Sequence, residues 1–222
     1  MIPRLFLLPL FGLLGFVFLQ PATAQSSNPD MSVVERWLAT NTGVRSLKID
    51  FTQTRTMRSI KVPVRQEGSL WLDYSTHRFR WQTGDPAQTI VVSVGKNILI
   101  IRTPMKKYEI RPAGSGGAPG MAAMANGFPR SLAEFQRKYR VLEIRSESNT
   151  KRIVARPLGG GGRGVETFTF VVDASHFRLL GFEIDLEDGS SVNTVFRHVA
   201  TNVPVGKDLF QPSIEGYTET KF

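Results

Sequence analysis

The stretch Arg65-Gln-Glu-Gly-Ser-Leu-Trp-Leu-Asp-Tyr-Ser-Thr-His-Arg-Phe-Arg-Trp81 decides how this chain is read. It divides into two β-strands that meet at a polar turn over 73–76, where Asp and Ser supply local hydrogen bonds. Strand side chains alternate between the two faces of a sheet. Leu70 and Leu72 therefore share one face of the first strand, with Trp71 on the other. Phe79 and Trp81 share a face of the second strand, with Arg78 and Arg80 opposite. One face is apolar and aromatic, the other cationic, and the question for the rest of the chain is what the apolar face covers.

Upstream, Ser32-Val-Val-Glu35 has the form of a capping box, in which Ser and Glu each satisfy a free backbone donor. Val34, Trp37 and Leu38 follow at helical spacing, which predicts one helix over about 31–41, ended at Gly43. From Leu47 the period changes to two. Leu47, Ile49, Phe51, Gln53, Arg55 and Met57 fall on one face, and Lys48, Asp50, Thr52, Thr54 and Thr56 on the other, the pattern of a strand wet on one side. Val62 and Val64 lead into Leu70 and Leu72 with the same period, and Gly68 reads as a bulge or bend point. Strands are predicted at 89–94, 97–102 and 106–111, with Gly95-Lys96 as a turn. Short connections make this half an antiparallel meander.

The composition then shifts. The segment 112–129 is rich in Gly and Pro and contains the island Met121-Ala-Ala-Met-Ala125. Thioethers adapt to irregular apolar surfaces, and Gly and Pro punctuate, so it reads as a mobile cover. Ser131-Leu-Ala-Glu134 is a second capping box, opening a helix to about Tyr139 with Phe135 inward. Strands return at 141–146, 151–156, 165–172, 177–186 and 191–199. Asp188-Gly189 is a hairpin turn between the last two. Phe168 and Phe170 share a face, as do Leu180, Phe182 and Ile184. The tail is irregular, with Leu209-Phe210 able to dock on the sheet. The fold expected is mainly β, an incomplete and strongly curved antiparallel barrel of about eleven strands, with an amino-terminal helix and a short helical lid.

The amino terminus presents Arg4, an apolar run over 5–19 and Pro21-Ala-Thr-Ala24, the form of a secretory signal peptide cut after Ala24. The run is broken by Pro9, Gly12 and Gly15 and is shorter than a membrane span needs. The expected layout is a leader at 1–24 and one domain at 25–222. Loss of the leader removes one Arg and no acid, taking the net charge from +9 to +8. With export, that sign points away from nucleic acid and to an anionic membrane surface or an acidic protein partner, or equally to a basic surface with no partner. Cysteine is absent, so packing without disulfides must hold the fold, and no lipid-modified amino-terminal Cys is possible.

Catalytic patterns are missing. His77, His176 and His198 are scattered without metal-ligand spacing. No Ser sits in a nucleophile elbow, and Asp185, Glu187 and Asp188 cluster around a hairpin turn. The Gly159–Gly164 run lacks both the Lys-Ser/Thr and the following helix of a phosphate loop. The reading is a binding protein without metal, cofactor or catalytic residues. A curved sheet with one apolar face either fills its concave side or holds an apolar ligand there.

Phe51-Thr52-Gln53 after a helix, Gly68-Ser-Leu-Trp-Leu72, Arg78-Phe-Arg-Trp81, Ile90-Val-Val-Ser-Val-Gly-Lys96, Thr103-Pro104 and Asn202-Val-Pro-Val with Leu209-Phe210 occur in an order that resembles the LolA family of periplasmic lipoprotein carriers. The resemblance implies a carrier that sequesters the acyl chains of outer-membrane-destined lipoproteins. Cargo would come from an inner-membrane ATP-driven (ABC) releasing complex and pass to the outer-membrane receptor LolB, which is itself anchored through a Cys. The absence of Cys favours the soluble carrier, working in the periplasm as a monomer. Cavity candidates are Phe51, Leu70, Leu72, Phe79, Trp81, Val92, Ile98, Ile100, Phe168, Phe170 and Phe182. Met121, Met124 and Phe128 are lid candidates. The family's basic-residue-Pro step after the Leu-Trp strand is replaced by Asp73-Tyr-Ser-Thr-His-Arg78, which leaves Arg78 as the candidate latch. The other reading is an envelope protein of the same architecture that binds another lipid, or a regulatory protein through a filled core.

Overall fold

Segments of period two become strands and the two segments of helical period become helices, all on one sheet. The computed structural model describes residues 29–112, 128–158 and 164–220. Helix α1 (Ser32–Ala39) leads into β1 (Ser46–Thr56), β2 (Val64–Asp73), β3 (Arg78–Thr83), β4 (Thr89–Val94), β5 (Asn97–Arg102) and β6 (Lys107–Pro112). Helix α2 (Leu132–Lys138) precedes β7 (Tyr139–Glu147), β8 (Thr150–Pro157), β9 (Val165–Asp173), β10 (Leu179–Leu186), β11 (Ser191–Thr201) and β12 (Thr218–Glu219). The strand order is β12-β6-β5-β4-β3-β2-β1-β11-β10-β9-β8-β7. Two antiparallel meanders thus join where β1 pairs with β11, and β12 adds a two-residue parallel edge on β6. Strands β7 and β12 are left as edges, so the curved sheet is open, an incomplete barrel as expected. The twelfth strand comes from the tail, which has too few alternating residues to announce a strand.

The sheet has two unequal cores. Its inner face, the one that carries α1 and α2, buries the larger cluster. Val34, Trp37 and Leu38 of α1 and Phe135 of α2 pack there against Ile49, Leu70, Phe79, Phe170 and Ile184. The outer face has a small cluster, Val92, Leu99 and Ile101, covered by Ile214 and Tyr217 of the tail. The tail is held by the 3-10 turn Lys207–Phe210, whose Phe210 is buried as the Leu209-Phe210 docking signal predicted.

Three local expectations are corrected. Gly68 makes no bulge, since β2 keeps continuous register with both β1 and β3 there. A Cβ at Gly68 would instead lie 2.5 Å from Cζ of Phe51 and 2.2 Å from the Gln82 carbonyl, so the glycine is required by close approach. Ser32 does not cap α1: Met31 is the N-cap residue, without a side-chain bond, and Asp30 Oδ1 accepts from the Ser32 N–H instead. Leu180 does not share the buried face of Phe182 and Ile184, because the β9–β10 register shifts between Leu179 and Gly181 and leaves it exposed. By contrast, Ser131 caps α2 by accepting from the Glu134 N–H.

Candidate functional site

Register fixes which residues the inner face brings together. Ile49 opposes Leu70, Leu70 opposes Trp81, Trp81 opposes Val91, Val91 opposes Ile100 and Ile100 opposes Glu109, forming one row across six strands. A parallel row runs Leu47, Leu72, Phe79 on β1 to β3. At a strand spacing of about 4.8 Å, the wall from β1 to β6 is roughly 24 Å wide. Phe51 and Trp81 stack on it with centroids 4.0 Å apart. Phe51, Leu70, Leu72, Phe79, Trp81, Ile98 and Ile100 therefore stand together on the β1–β5 part of the inner face, all buried.

Phe168, Phe170 and Phe182 stand on the same face but in different surroundings. Phe170 lies 4.8 Å from Trp37, 5.5 Å from Phe135 and 5.2 Å from Tyr139, ring to ring. Phe168 stacks on Phe182 at 5.2 Å. These rings fill the β8–β10 half under the two helices, in one continuous buried cluster with the β1–β5 residues. Phe128, expected in the lid, is buried in the same cluster with its ring 6.1 Å from that of Phe196, which is itself 6.1 Å from Phe182. Met121 and Met124 lie outside the described residues.

Two candidates do not belong to this face. Val92 points to the outer cluster with Leu99 and Ile101, and Val91 takes the inner position beside Trp81. The run Ile90-Val-Val is apolar on both faces, so alternation carries no direction there. Arg78 also lies on the outer side. Its guanidinium is 3.2 Å from Asp73 Oδ2 and stacks 4.7 Å over the Phe210 ring. Neither contact reaches the inner face, so Arg78 ties the tail to the β2–β3 turn and is not placed as a lid latch. A groove of about 590 Å³ lies beside it, lined by Arg78, Ser93, Leu99 and Phe210 among others.

The apolar wall carries two polar features that sequence reading did not single out. Glu109, with no solvent exposure, ends the central row, held between Arg102 and Arg111 at 2.8 Å each. Its Oε1 sits at ion-pair distance from Arg102 without hydrogen-bond alignment, while Oε2 accepts from Arg111 Nε and Nη2. Beyond Phe51, Gln53 is buried, donates to Thr194 Oγ1 at 3.1 Å and accepts from Arg55 Nε at 3.0 Å. Burial lowers the Arg55 pKa from its ordinary value, and desolvation is the single cause. Alternation did place Gln53 and Arg55 on the apolar face; the signal was a cation at an inward position. Among the described residues no group of three or more His, Cys, Asp or Glu side chains is arranged to hold a metal.

A family model described as outer membrane lipoprotein carrier protein LolA matches residues 42–213. No curated protein matches the chain. Among solved structures it is similar to an uncharacterized conserved protein from Thermus thermophilus, at 10% identity over 86% of this chain and 97% of that one, with a TM-score of 0.51. It is also similar to a domain from Vibrio parahaemolyticus described as an outer membrane lipoprotein-sorting protein (11% identity, 81% and 95% covered, TM-score 0.48). A LolA superfamily protein from Nitrosomonas europaea compares at 8% identity, 83% and 98% covered, TM-score 0.47. Likeness at these identities concerns the fold alone. The family model, in contrast, spans most of the chain, from before β1 to past the Leu209-Phe210 turn, and on that match this protein belongs to the LolA family of outer membrane lipoprotein carrier proteins.

Proposed function

We propose that this protein is a periplasmic carrier that shields lipoprotein acyl chains against the β1–β6 part of its inner face and shuttles them from the inner to the outer membrane. The observation that carries the reading is the continuous apolar row from Ile49 to Ile100, in a chain whose family is described by lipoprotein carriage. Each methylene kept from water is worth about 0.8 kcal/mol, so a chain of about a dozen methylenes resists leaving a bilayer by close to 10 kcal/mol. A matching apolar wall offsets that cost by binding alone, with no covalent step. The partners on this reading are an inner-membrane ABC releasing complex, an outer-membrane receptor of the LolB type, and the lipoproteins themselves. The protein works as a monomer released by a cleaved leader at 1–24. Among the described residues no helix is long and apolar enough to cross a membrane.

A second reading is favoured by the ring contacts among Trp37, Phe135, Tyr139, Phe168 and Phe170, which fill the other half of the inner face. On that reading the interior is a closed core and the protein binds a regulatory partner. Native mass spectrometry of protein purified from the periplasm without detergent separates the two. A carrier retains lipid or acylated cargo, and it releases labelled lipoprotein from inner-membrane vesicles in stoichiometric amount. Protein that is free of lipid and releases nothing leaves the filled-core reading.

A further inference from the structure

We propose that Arg55 is the anchoring group for the anionic head of an amphiphile whose hydrocarbon lies on the β1–β6 wall; this deepens the carrier reading and rests on it. Arg55 occupies the inner face of β1, two alternations beyond Phe51 and about 13 Å along the strand from it. Thr194, which opposes Gln53, also opposes Phe182, so the polar pair lies on the same face as the aromatic floor.

Most other half-buried arginines on the sheet have a carboxylate: Arg78 has Asp73, Arg102 and Arg111 share Glu109, and Arg152 has Glu183. Arg80 has none, but on the outer face it bonds Gln82 and the Leu209 carbonyl. Arg55 has no carboxylate within ion-pair distance among the described residues. Its hydrogen-bond partner is the Gln53 carbonyl oxygen, which engages Nε and leaves the two Nη groups unengaged among the described residues. Desolvating a guanidinium without a counter-charge is unfavourable. Gln53, itself buried, is oriented by Thr194 so that its acceptor fixes the guanidinium plane. The result is a planar fork held at the end of an apolar floor, with its charge uncompensated. A fork of that kind suits a carboxylate or phosphate, which it engages with two parallel hydrogen bonds. The fork thus adds affinity for a carboxylate or phosphate beside the acyl chains, so that of two amphiphiles of the same chain length the anionic one binds more tightly than its neutral ester.

The test uses the mature protein with cis-parinaric acid, which fluoresces when it enters an apolar site, and with its methyl ester, at a pH where the acid is ionised. Wild-type protein is expected to bind the acid roughly ten- to a hundredfold more tightly than the ester, the range of a charge-assisted hydrogen bond. Arg55→Gln brings the acid down to the ester's affinity and leaves the ester unchanged, while Arg55→Lys keeps an intermediate preference. Displacement by palmitate or by palmitoyl lysophosphatidylglycerol tells whether carboxylate or phosphate is the preferred head. If wild-type protein binds acid and ester equally, the role of Arg55 is overturned and the carrier reading stands. A preference that survives in R55Q overturns it equally. If wild-type protein binds neither probe, this inference is overturned, and the carrier reading is decided separately by release of labelled lipoprotein. Should R55Q not fold, the comparison of acid and ester on wild-type protein, repeated at a pH where the acid is protonated, still decides, since a preference that survives neutralisation of the carboxylate excludes the ion pair.

Discussion

Phe51 and Trp81 stack with centroids 4.0 Å apart although they belong to strands that are not neighbours. Strand β2 runs between them, and Gly68 is the residue of β2 opposite Phe51. Only the missing side chain lets the Phe51 ring lie across β2 and reach Trp81 on β3. Alanine at this position would set its Cβ 2.2 Å from a backbone oxygen and 2.5 Å from the ring. Gly68→Ala should therefore destabilise the protein by about 1–3 kcal/mol, the range for overpacking a tight site. It should also alter the near-UV dichroism of the stacked pair. Calorimetry together with that spectrum checks it, and an unchanged melting point and spectrum would show that the rings do not meet over the glycine.

Asp73 links stability to acid. Burial raises its pKa, but hydrogen bonds from Ser75, Thr76 and Arg78 together outweigh that and bring it down to about 2 from 3.8. A folded-state pKa below the unfolded one contributes stability that is fully present above the unfolded value and is lost as pH falls through the folded one. The contribution is on the order of 2 kcal/mol. Asp73→Asn should accordingly lower the thermal midpoint most above pH 4, with the difference from wild type closing as pH approaches 2. Parallel melting curves across that interval measure it, and a gap that widens on acidification would refute the assignment.

The two Ser-x-x-Glu segments make a matched pair of tests. Ser131 caps α2 and Glu134 Oε2 accepts from the Arg130 N–H, whereas Ser32 lies inside α1 with no cap bond from its side chain. Ser131→Ala should cost about 1 kcal/mol, while Ser32→Ala should stay within about 0.5 kcal/mol. Chemical denaturation of the two variants decides between the observed caps and the sequence motif.

That pair shows how far the fold and site were readable. Alternation located β1 to β3, with Leu70, Leu72, Phe79 and Trp81 on one face, because each of those strands is wet on the other side or carries Arg there. It failed at Val92 because β4 is apolar on both faces, and its outer apolar residues pack under Ile214 and Tyr217, more than a hundred residues later. It failed at Leu180 because one extra residue in β10 reverses the pattern. The cap at Ser32 failed because Asp30, two residues earlier, offers a carboxylate to the Ser32 N–H. Arg55 was placed on the correct face, but its lack of a carboxylate is a tertiary fact that spacing does not encode.

The tail is bound by two arginines whose side chains point away from the apolar wall. Arg78 stacks on Phe210, Arg80 Nη1 donates to the Leu209 carbonyl at 3.1 Å, and the chain then runs on to pair with β6. Ile214 and Tyr217, which cover the outer cluster, lie in the chain between that clamp and β12. Phe210→Ala removes a buried ring and should cost about 3–5 kcal/mol. Arg80→Ala removes one charge-assisted bond to the tail, its other two going to Gln82 on the same strand, and should cost less, about 1.5–3 kcal/mol. Because both loosen the same segment, the double variant should lose less than the two single losses combined. Trypsin should also cut faster after Lys207 in each variant, since local opening of the turn governs access. Strict additivity with an unchanged cleavage rate would mean that the tail is held from β12 inward and that the arginine clamp contributes nothing to it.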